Sequence, residues 1–445
     1  MIVKPVIGLY GILEPTEEGG EATERLMTAA ATRLQAEGME VKRSPVIVSS
    51  DETARSAASF FQTADIDLLC AVVITWSFDN LHVAILKRVP RPLAIIAVPG
   101  IRAGSIVGAQ QAGSLLTDLG LEHAVFFGPE NAAETWRPAA RYAMAAAVRM
   151  RLQMGKLAFI GRRTPGMTPI AFDEVEITRR FGPLVESYGW EEIEELARIV
   201  PREAVAGKIS YLKKTAGTVD SDVSALEASV RIEIALKDMA GKNQILAFGI
   251  GCYPHYAGRA CLTVGMLTEA GIPAGCEGDL NSALAMYLLQ SFTGQPAHFG
   301  EILEVNEDEN SFVTSHCGCG APSLAARQSD IALTPVRIWQ RGVCIRYPGK
   351  AAPEATFVNL TGRKGTYRLC AVPGSAVETG MVFEGNPVAF KPNVPVRDLL
   401  GVISAHGFGH HWMMGYGAAI EPLDRFCAMI GIDAVFPGSK GASRP

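Results

Sequence analysis

The segment "HGFGHHWMMGYG", from His406 to Gly417, has a composition that suits a ligand-binding site. Its four glycines are too many for a helix interior, and its three histidines are too many for an ordinary apolar strand. Glycine lets a backbone pass close to a bound group, and a neutral imidazole is a common metal ligand. The adjacent pair His410 and His411 therefore makes this segment a candidate source of nitrogen ligands.

Carboxylates with suitable placement occur in "AGCEGDLNSALAMYLLQ", where Glu277 and Asp279 stand between a strand-like run and a helix-like run. Ligands of open α/β sheets bind at the carboxyl ends of strands, so both side chains are well placed for function. Asp279 also suits the N-cap of the following helix. Glu277 has no such structural role, and we predict that it is functional.

A second cluster of carboxylates lies in "GEILEVNEDENSFVTSHCGCG". The acidic residues from Glu307 to Glu309 read as a solvated turn between two strands. Such a hairpin lets "FVTSH" run back beside "EILEV", which would bring His316 near Glu304 on one face. A lone strand histidine is also a common core residue, so this pairing needs support from the other motifs.

Two carboxylates and two or more histidines form a mixed oxygen and nitrogen ligand set. Such a set suits octahedral metals such as Mn²⁺, Fe²⁺ or Co²⁺. The segment "HCGCG" offers an alternative, because His316, Cys317 and Cys319 with His406 or His410 could bind zinc. However, the CxC spacing differs from the CxxC of common structural zinc sites, and no second cysteine pair follows.

Nucleotide cofactors are not indicated. The glycines of "AFGIGCYPHYAG" follow a strand-like run but do not complete a dinucleotide fingerprint, and no P-loop lysine motif is present.

The elements that must position these residues follow an α/β pattern. Short apolar strands alternate with helices through residue 154, and a second unit of the same kind opens at "GKLAFIG". After residue 300, strand-like runs with frequent Gly and Pro replace the long helical periods. We predict two doubly wound parallel-sheet units, residues 1–154 and 155–300, followed by an antiparallel, barrel-like β domain, residues 301–445. The tail "PGSKGASRP" is expected to be disordered.

Composition narrows the class of protein. The 445 residues are 48% hydrophobic and 20% charged. The net charge of −5 does not indicate the excess of basic residues that binds nucleic acid or an anionic membrane. No apolar run approaches the roughly 18 to 20 residues that span a bilayer. Nine cysteines with scattered spacing do not suggest a disulfide framework. Because no signal-peptide pattern opens the chain, we expect a cytoplasmic protein.

Together these motifs resemble the L-fucose and L-arabinose isomerase superfamily. "CEGD" is similar to that family's EGD motif, which implies that Glu277 binds metal and takes part in catalysis. Glu304 in "ILEVN" matches the second catalytic carboxylate, and His316 in "TSH" matches the histidine that ends the next strand. The second imidazole of "GFGHHW", His411, matches a metal ligand. The chain departs from the family in its shorter last domain and its tighter hairpin before His316.

The resemblance also implies contacts to a sugar. "TWSFDN" occupies the place of a substrate-side loop, which makes Trp76, Asn80 and Gln110 candidates for hydroxyl contacts. His410 and Arg102 are further candidate substrate contacts. An anionic sugar such as a 6-sulfo-hexose (sulfoquinovose) would need a fixed cation. Besides Arg102, the sequence offers Arg259 and the pair Lys213 and Lys214 for that role.

The implied reaction is aldose–ketose isomerisation, with Mn²⁺ polarising the sugar oxygens. Glu277 and Glu304 would handle the C2 proton and the hydroxyl proton, without an assignment of which does which. The resemblance further implies a homo-oligomer, a hexamer, with the first domain of one subunit covering a neighbour's site. Two other classes stay open, a zinc hydrolase built on the histidines and cysteines and a non-catalytic sugar-binding protein.

Overall fold

The computed structural model describes residues 3–363 and 365–438. The chain divides into two compact units, one of residues 3–150 and a larger one that begins at residue 151. The further boundary expected at residue 300 stays a prediction. Most of the tail expected to be disordered, residues 439–445, lies outside the described residues.

Through Met154 the chain alternates strands with helices. The strands are β1 (Val6–Ile12), β2 (Glu40–Arg43), β3 (Leu68–Val73), β4 (Leu93–Ala97) and β5 (His123–Phe127). The helices are α1 (Thr23–Ala36), α2 (Asp51–Gln62), α3 (Asn80–Leu86), α4 (Ser105–Asp118) and α5 (Ala133–Met154). The five strands form one parallel sheet in the order β2-β1-β3-β4-β5. Every residue of β3 and β4 is buried, as expected for central strands covered on both faces.

A second α/β region follows. Its strands are β6 (Lys156–Ile160), β7 (Leu184–Tyr188), β8 (Thr218–Val219), β9 (Ile245–Ile250) and β10 (Ala274–Gly275). Its helices are α6 (Glu174–Phe181), α7 (Trp190–Arg198), α8 (Arg202–Thr215), α9 (Val223–Asn243), α10 (Cys261–Glu269) and α11 (Leu280–Thr293). Four of the strands form a parallel sheet in the order β10-β9-β6-β7. Both predicted parallel-sheet units are thereby confirmed.

The remaining chain is mostly β. Its strands are β11 (Ala297–Asn306), β12 (Ser311–Ser315), β13 (Ala332–Val336), β14 (Arg341–Arg346), β15 (Ala352–Arg363), β16 (Thr366–Val377), β17 (Val388–Pro392), β18 (His411–Gly415) and β19 (Asp433–Val435). Seven of them form one sheet in the order β15-β18-β11-β12-β17-β16-β19. Because β15 pairs with both β18 and β16, six of these strands form a closed ring. The antiparallel C-terminal sheet predicted from the sequence is confirmed as this ring-like arrangement, with one parallel pair, β16–β19.

Helix α11 connects the two sheets of the larger unit. Each residue from Leu280 to Ser291 is buried, because the helix packs against β9 of the parallel sheet and against β15 and β18 of the ring. A helix that is apolar on all sides needs such packing around its circumference. Its first turn therefore lies where the two sheets meet.

Two helices follow the ring strands, α12 (Val396–His406) and α13 (Ile420–Ile430). The segment "LDRFCAMIG" predicts a short helix, which the structure shows as α13, whereas the sequence pattern does not predict α12. Helix α12 begins after Pro395, and the backbone N–H of Val396, in the first turn, donates to the side-chain oxygen of Asn310 at 2.7 Å. A cap supplied by a residue 86 positions away leaves no local signal in the sequence. None of the described helices combines the length and apolar composition needed to cross a bilayer.

Asn310 also fixes the hairpin between β11 and β12. It adopts a left-handed conformation with φ of 49°, which asparagine tolerates better than most residues. Its side-chain amide donates to the carbonyls of Pro392 and Val394 at 3.1 and 3.0 Å. One side chain therefore joins the turn of the hairpin to the loop before α12.

Replacing Asn310 with glycine should lower the free energy of unfolding by about 2 kcal/mol, since three partly buried hydrogen bonds are lost while φ stays accessible. Alanine should cost about 1 kcal/mol more, because it disfavours positive φ. The midpoint of thermal unfolding measures both effects. Glu309→Ala in the same turn is the control, as its exposed side chain makes no contact in the described structure. Equal midpoints for the glycine variant and the control would contradict this role for Asn310.

Candidate functional site

The register of three neighbouring strands places potential ligands side by side. β11 lies between β12 and β18, and Glu301 of β11 pairs with Ser315 on one side and with His411 on the other. Cross-strand partners point to the same face of a sheet. His316 follows Ser315 at the end of β12, and its ring lies 5.6 Å from the ring of His411. Ligand atoms of Glu301, His316 and His411 all lie within 4.8 Å of one another.

Glu277 reaches the same place from the parallel sheet. It comes just after Cys276, the first residue beyond β10, and its carboxylate Oε2 lies 3.2 Å from Nε2 of His411. Its backbone is left-handed, with φ of 60° and ψ of 13°, which is costly for a residue other than glycine. Hydrogen bonds from the backbone N–H and the hydroxyl of Thr164 to the Glu277 carbonyl hold this conformation. A strained glutamate held in this way is consistent with the functional role predicted for it.

Asp279 serves both the helix and the site. Its side chain caps α11 by accepting hydrogen bonds from the N–H and hydroxyl of Ser282 at 2.9 and 2.6 Å. The same carboxylate lies 2.9 Å from Nδ1 of His411. A proton on Nδ1 that is donated to Asp279 leaves Nε2 with its lone pair directed at Glu277. The capping role was predicted from the sequence, whereas the contact with His411 was not.

The carboxylates also set the protonation of His411 in the metal-free chain. Burial opposes a charge on the ring, but the hydrogen bond to Asp279 and the proximity of Glu277 outweigh it and raise the pKa of His411 to about 9. Burial likewise opposes the charge of Glu277, yet the neighbouring His411 and His316 lower the pKa of its carboxyl group. Near neutral pH the pair is therefore imidazolium and carboxylate.

The donor set fits a divalent cation of the manganese type. Oε2 of Glu277 and Nε2 of His411 are buried, and among the described residues neither has a hydrogen-bond partner of good geometry, although they lie 3.2 Å apart. Buried polar atoms without partners are costly unless something else binds them. Glu301 and His316 form one group of potential ligands with His411, and Glu277 and His410 form a second group with the same histidine. Two carboxylates and imidazoles gathered around His411 are a donor set that suits Mn²⁺, Fe²⁺ or Co²⁺.

The structure corrects the prediction for Glu304. Its side chain is exposed near the turn of the hairpin, whereas Glu301 lies among the other ligands. The reason is the position along β11, because Glu301 pairs with His411 and Ser315, whereas Glu304 lies nearer the turn and pairs with Val313. A bulge at Leu303 puts the two glutamates on the same face, with Glu301 deeper in the sheet. The sequence does not show that β11 pairs with β18 in this register, so it does not identify Glu301.

His410 lies at the margin of this cluster. Its Nε2 is 3.7 Å from Glu301, and its ring centroid lies 4.1 Å from that of His411. Burial and the neighbouring His411 lower its pKa, so the ring is neutral near neutral pH. A half-buried neutral imidazole can donate to or accept from a hydroxyl, and its predicted substrate contact stays a prediction.

The other predicted substrate contacts belong to the smaller unit. Trp76 and Arg102 follow adjacent strands, β3 and β4, at their carboxyl ends. The indole N–H of Trp76 donates to Gln111 at 3.0 Å, and Gln111 in turn donates to Asp79. The glutamine joined to this loop is thus Gln111, and the sugar contacts expected of Gln110 and the other residues stay predictions. The expected residues Gln110 and Asn80 are both exposed, and Arg102 is an exposed side chain 3.5 Å from Glu18.

A cluster of thiols adjoins the candidate ligands. The sulfurs of Cys317 and Cys319 lie 3.3 and 3.6 Å from Nδ1 of His316. Cys276, which precedes Glu277, lies 3.2 Å from Cys252, sulfur to sulfur. These contacts engage Nδ1 of His316, which leaves its Nε2 as the nitrogen available to a metal.

The zinc arrangement considered from the sequence takes a different form in the structure. Cys317 and His316 combine with Cys276, and not with His406 or His410, in the described residues. His406 ends α12 and is exposed. The ligand set named for the zinc alternative is therefore not assembled.

A cavity of about 120 Å³ opens beside the cluster. Glu277, Glu301 and His316 line it together with residues that the sequence did not single out. The additional lining side chains that could contact a polar ligand are Tyr253, Arg337 and Trp339. Arg337 and Trp339 belong to a short turn between β13 and β14, where composition alone does not distinguish a ligand contact from an exposed loop.

Metal binding should release a proton from His411, because its pKa of about 9 keeps it charged near neutral pH. The apparent affinity for Mn²⁺ should therefore rise with pH, by up to about tenfold per unit, and level off near that pKa. Calorimetric titrations in buffers of different protonation enthalpy measure the released protons. Asp279→Asn removes a charge that raises this pKa and should reduce the release. Equal proton release by both proteins would contradict this account.

Comparisons with known proteins give a consistent result. No protein-family model matches the chain. A sulfoquinovose isomerase of Clostridium sp. (strain MSTE9) is 28% identical over 345 residues, 75% of this chain and 76% of that protein. Sulfoquinovose isomerases of Alkalicoccus urumqiensis and Priestia aryabhattai are 25% and 22% identical, over 75% and 87% of this chain and 76% and 89% of those proteins. This chain is a homologue of these enzymes, and the predicted relationship to the L-fucose and L-arabinose isomerase superfamily is confirmed.

Proposed function

We propose that the chain is a metal-dependent aldose–ketose isomerase that acts on sulfoquinovose. The observation that carries the proposal is the convergence of Glu277, Glu301, His316 and His411 beside one cavity, in a chain related over most of its length to sulfoquinovose isomerases. The main prediction from the sequence is retained. The comparisons give no support to a zinc hydrolase or a non-catalytic sugar-binding protein.

The reaction moves two protons within the sugar. The C2 proton of the aldose is removed and a proton is returned to C1, while the O2 hydroxyl proton is transferred to O1. These transfers need groups that can accept and return protons on the reacting carbons and oxygens. Glu277 and Glu301 are the carboxylates that line the cavity, and the lowered pKa of Glu277 keeps it ready to accept a proton.

The metal site would be held by Glu277, Glu301, His316 and His411. A bound Mn²⁺, Fe²⁺ or Co²⁺ would supply Lewis-acid polarisation of the sugar oxygens. His411 must then be neutral, and the hydrogen bond from its Nδ1 to Asp279 keeps the ring oriented for that role. The thiols beside His316 and the ring of Phe299, 4.9 Å from it, restrict its rotation.

The oligomer is also part of the proposal. The cavity of about 120 Å³ is smaller than the roughly 300 Å³ or more typical of pockets that enclose a whole ligand. The hexamer, with a neighbouring subunit covering the site, is proposed on the resemblance to the superfamily alone. A cytoplasmic location likewise stays a prediction.

Hydrogen exchange with solvent tests the isomerase directly. Metal-stripped protein is incubated in D₂O with sulfoquinovose, with and without Mn²⁺, and deuterium at C2 of the aldose or C1 of the ketose is followed by NMR. We expect exchange that depends on Mn²⁺. Tight Mn²⁺ binding without exchange on any sugar would contradict the isomerase and favour a binding protein. Exchange of hydrogen on neutral sugars but not on sulfoquinovose would contradict the proposal that sulfoquinovose is the substrate.

Substitutions test which of the two glutamates of β11, Glu301 or Glu304, takes part in the reaction. Glu301→Gln should lower kcat by about 100-fold or more, as expected for loss of a proton-transfer group or metal ligand, and Glu277→Gln should do the same. Glu304→Gln is the matched control on the same strand and should stay within about twofold, because its side chain is exposed outside the cluster. A large loss in Glu304→Gln together with an active Glu301→Gln would reverse the assignment.

A further inference from the structure

Arg337 places a cationic group in the same cavity as the candidate catalytic carboxylates. It follows β13 directly, and it lines the cavity together with Glu277, Glu301 and His316. Loop residues on a rigid β scaffold often provide ligand contacts. Arg337 is an exposed residue of this cavity wall, so its guanidinium can contact an anionic ligand that enters from solvent.

No carboxylate neutralises Arg337 among the residues that the structure describes. The candidates considered from the sequence are either paired with a carboxylate or lie away from this cavity. Arg259 forms an ion pair with Glu194 at 2.7 Å, and Arg102 belongs to the smaller unit. Lys213 and Lys214 are exposed on α8. The cation that an anionic sugar requires is therefore available from Arg337, a residue not selected from the sequence.

The structure restrains Arg337 for binding. Its guanidinium carbon lies 5.0 Å from the ring centroid of Phe383, another residue of the cavity wall. Such stacking orients a guanidinium while leaving its N–H groups free to donate. The turn is fixed by Gln340, whose side-chain amide donates to the Arg337 carbonyl at 2.7 Å and whose N–H donates to the Val336 carbonyl at 2.8 Å.

Two further donors lie in the same wall. Tyr253 and Trp339 line the cavity, with ring centroids 5.2 Å apart. Within the described part of the chain, neither the Tyr253 hydroxyl nor the Trp339 indole N–H has a protein hydrogen-bond partner. A sulfonate has three acceptor oxygens and a fixed negative charge. A guanidinium with a hydroxyl and an indole N–H forms a complementary set of donors.

We infer that Arg337, assisted by Tyr253 and Trp339, binds the sulfonate of the substrate. The inference rests on the proposed function and adds the group that would recognise the anionic end of the sugar. The charges also determine orientation, because a sulfonate is attracted to Arg337 and repelled by Glu277 and Glu301. The uncharged C1–C2 end of the open-chain sugar is thereby directed to the carboxylates.

The test compares sulfoquinovose with its analogue that has hydrogen in place of the sulfonate, 6-deoxyglucose. Arg337→Gln should lower kcat/KM for sulfoquinovose roughly 30-fold or more, mainly through KM, because a charge-assisted contact is lost. With 6-deoxyglucose, the kcat/KM of the same variant should remain within about twofold of that of the unsubstituted protein. Arg337→Lys should be intermediate, since it keeps the charge but not the fork of donors.

Arg341→Gln is the matched control, because it removes the same charge at the start of β14 from a residue that does not line the cavity. It should leave kcat/KM for both sugars unchanged. Equal losses on both sugars in Arg337→Gln would show a general structural effect and overturn the inference. If Arg337→Gln turned over sulfoquinovose as well as the unsubstituted protein does, only the sulfonate site would be overturned. No turnover of sulfoquinovose by the unsubstituted protein would overturn both proposals.

Discussion

The hydrogen bond between Asp279 and His411 is the contact on which the candidate site depends. Asp279 is fixed by the start of α11, and His411 is fixed by β18 of the ring. Their 2.9 Å contact therefore joins the parallel sheet to the antiparallel sheet through two buried side chains. It orients the imidazole, selects the nitrogen that faces Glu277, and sets the ring's proton affinity. A buried ionic contact of this kind costs desolvation, which is compensated only where geometry and function both require it.

Strong local patterns made much of the fold predictable. Apolar strands such as Leu68–Val73 and a helix with a clear N-cap at Asp279 carry their signals within a few residues. Helix α12 was missed because its cap comes from Asn310 in a distant turn. Tertiary hydrogen bonds of this kind leave no periodicity in the sequence. The same holds for the closure of the ring, which depends on pairing between β15 and strands on both sides.

The candidate site was predictable where chemistry and position coincide. Glu277 could be selected because nothing structural explains a glutamate at a strand end, and His411 because a glycine-rich pair of histidines is unusual. Glu301 could not, since its place among the ligands comes from its pairing with His411 of the distant strand β18. Arg337 could not either, because its significance comes from a missing carboxylate partner and a shared cavity wall. The roles of Glu301 and Arg337 depend on which distant segments of the chain lie beside them, and residue type alone does not show this.

The closed ring of strands has a consequence for how such a protein can change through evolution. Glu301 and His411 are cross-strand partners within a ring that has no free end between β15 and β16. A slip of one strand would have to be matched by all six, so the spacing of these ligands is protected from shifts elsewhere. Insertions and deletions can then accumulate in the hairpin turns without moving the reacting groups. New substrate preferences can also arise by exchange of the turn that carries Arg337, which joins β13 and β14 outside the ring, while the proton-transfer machinery is inherited unchanged.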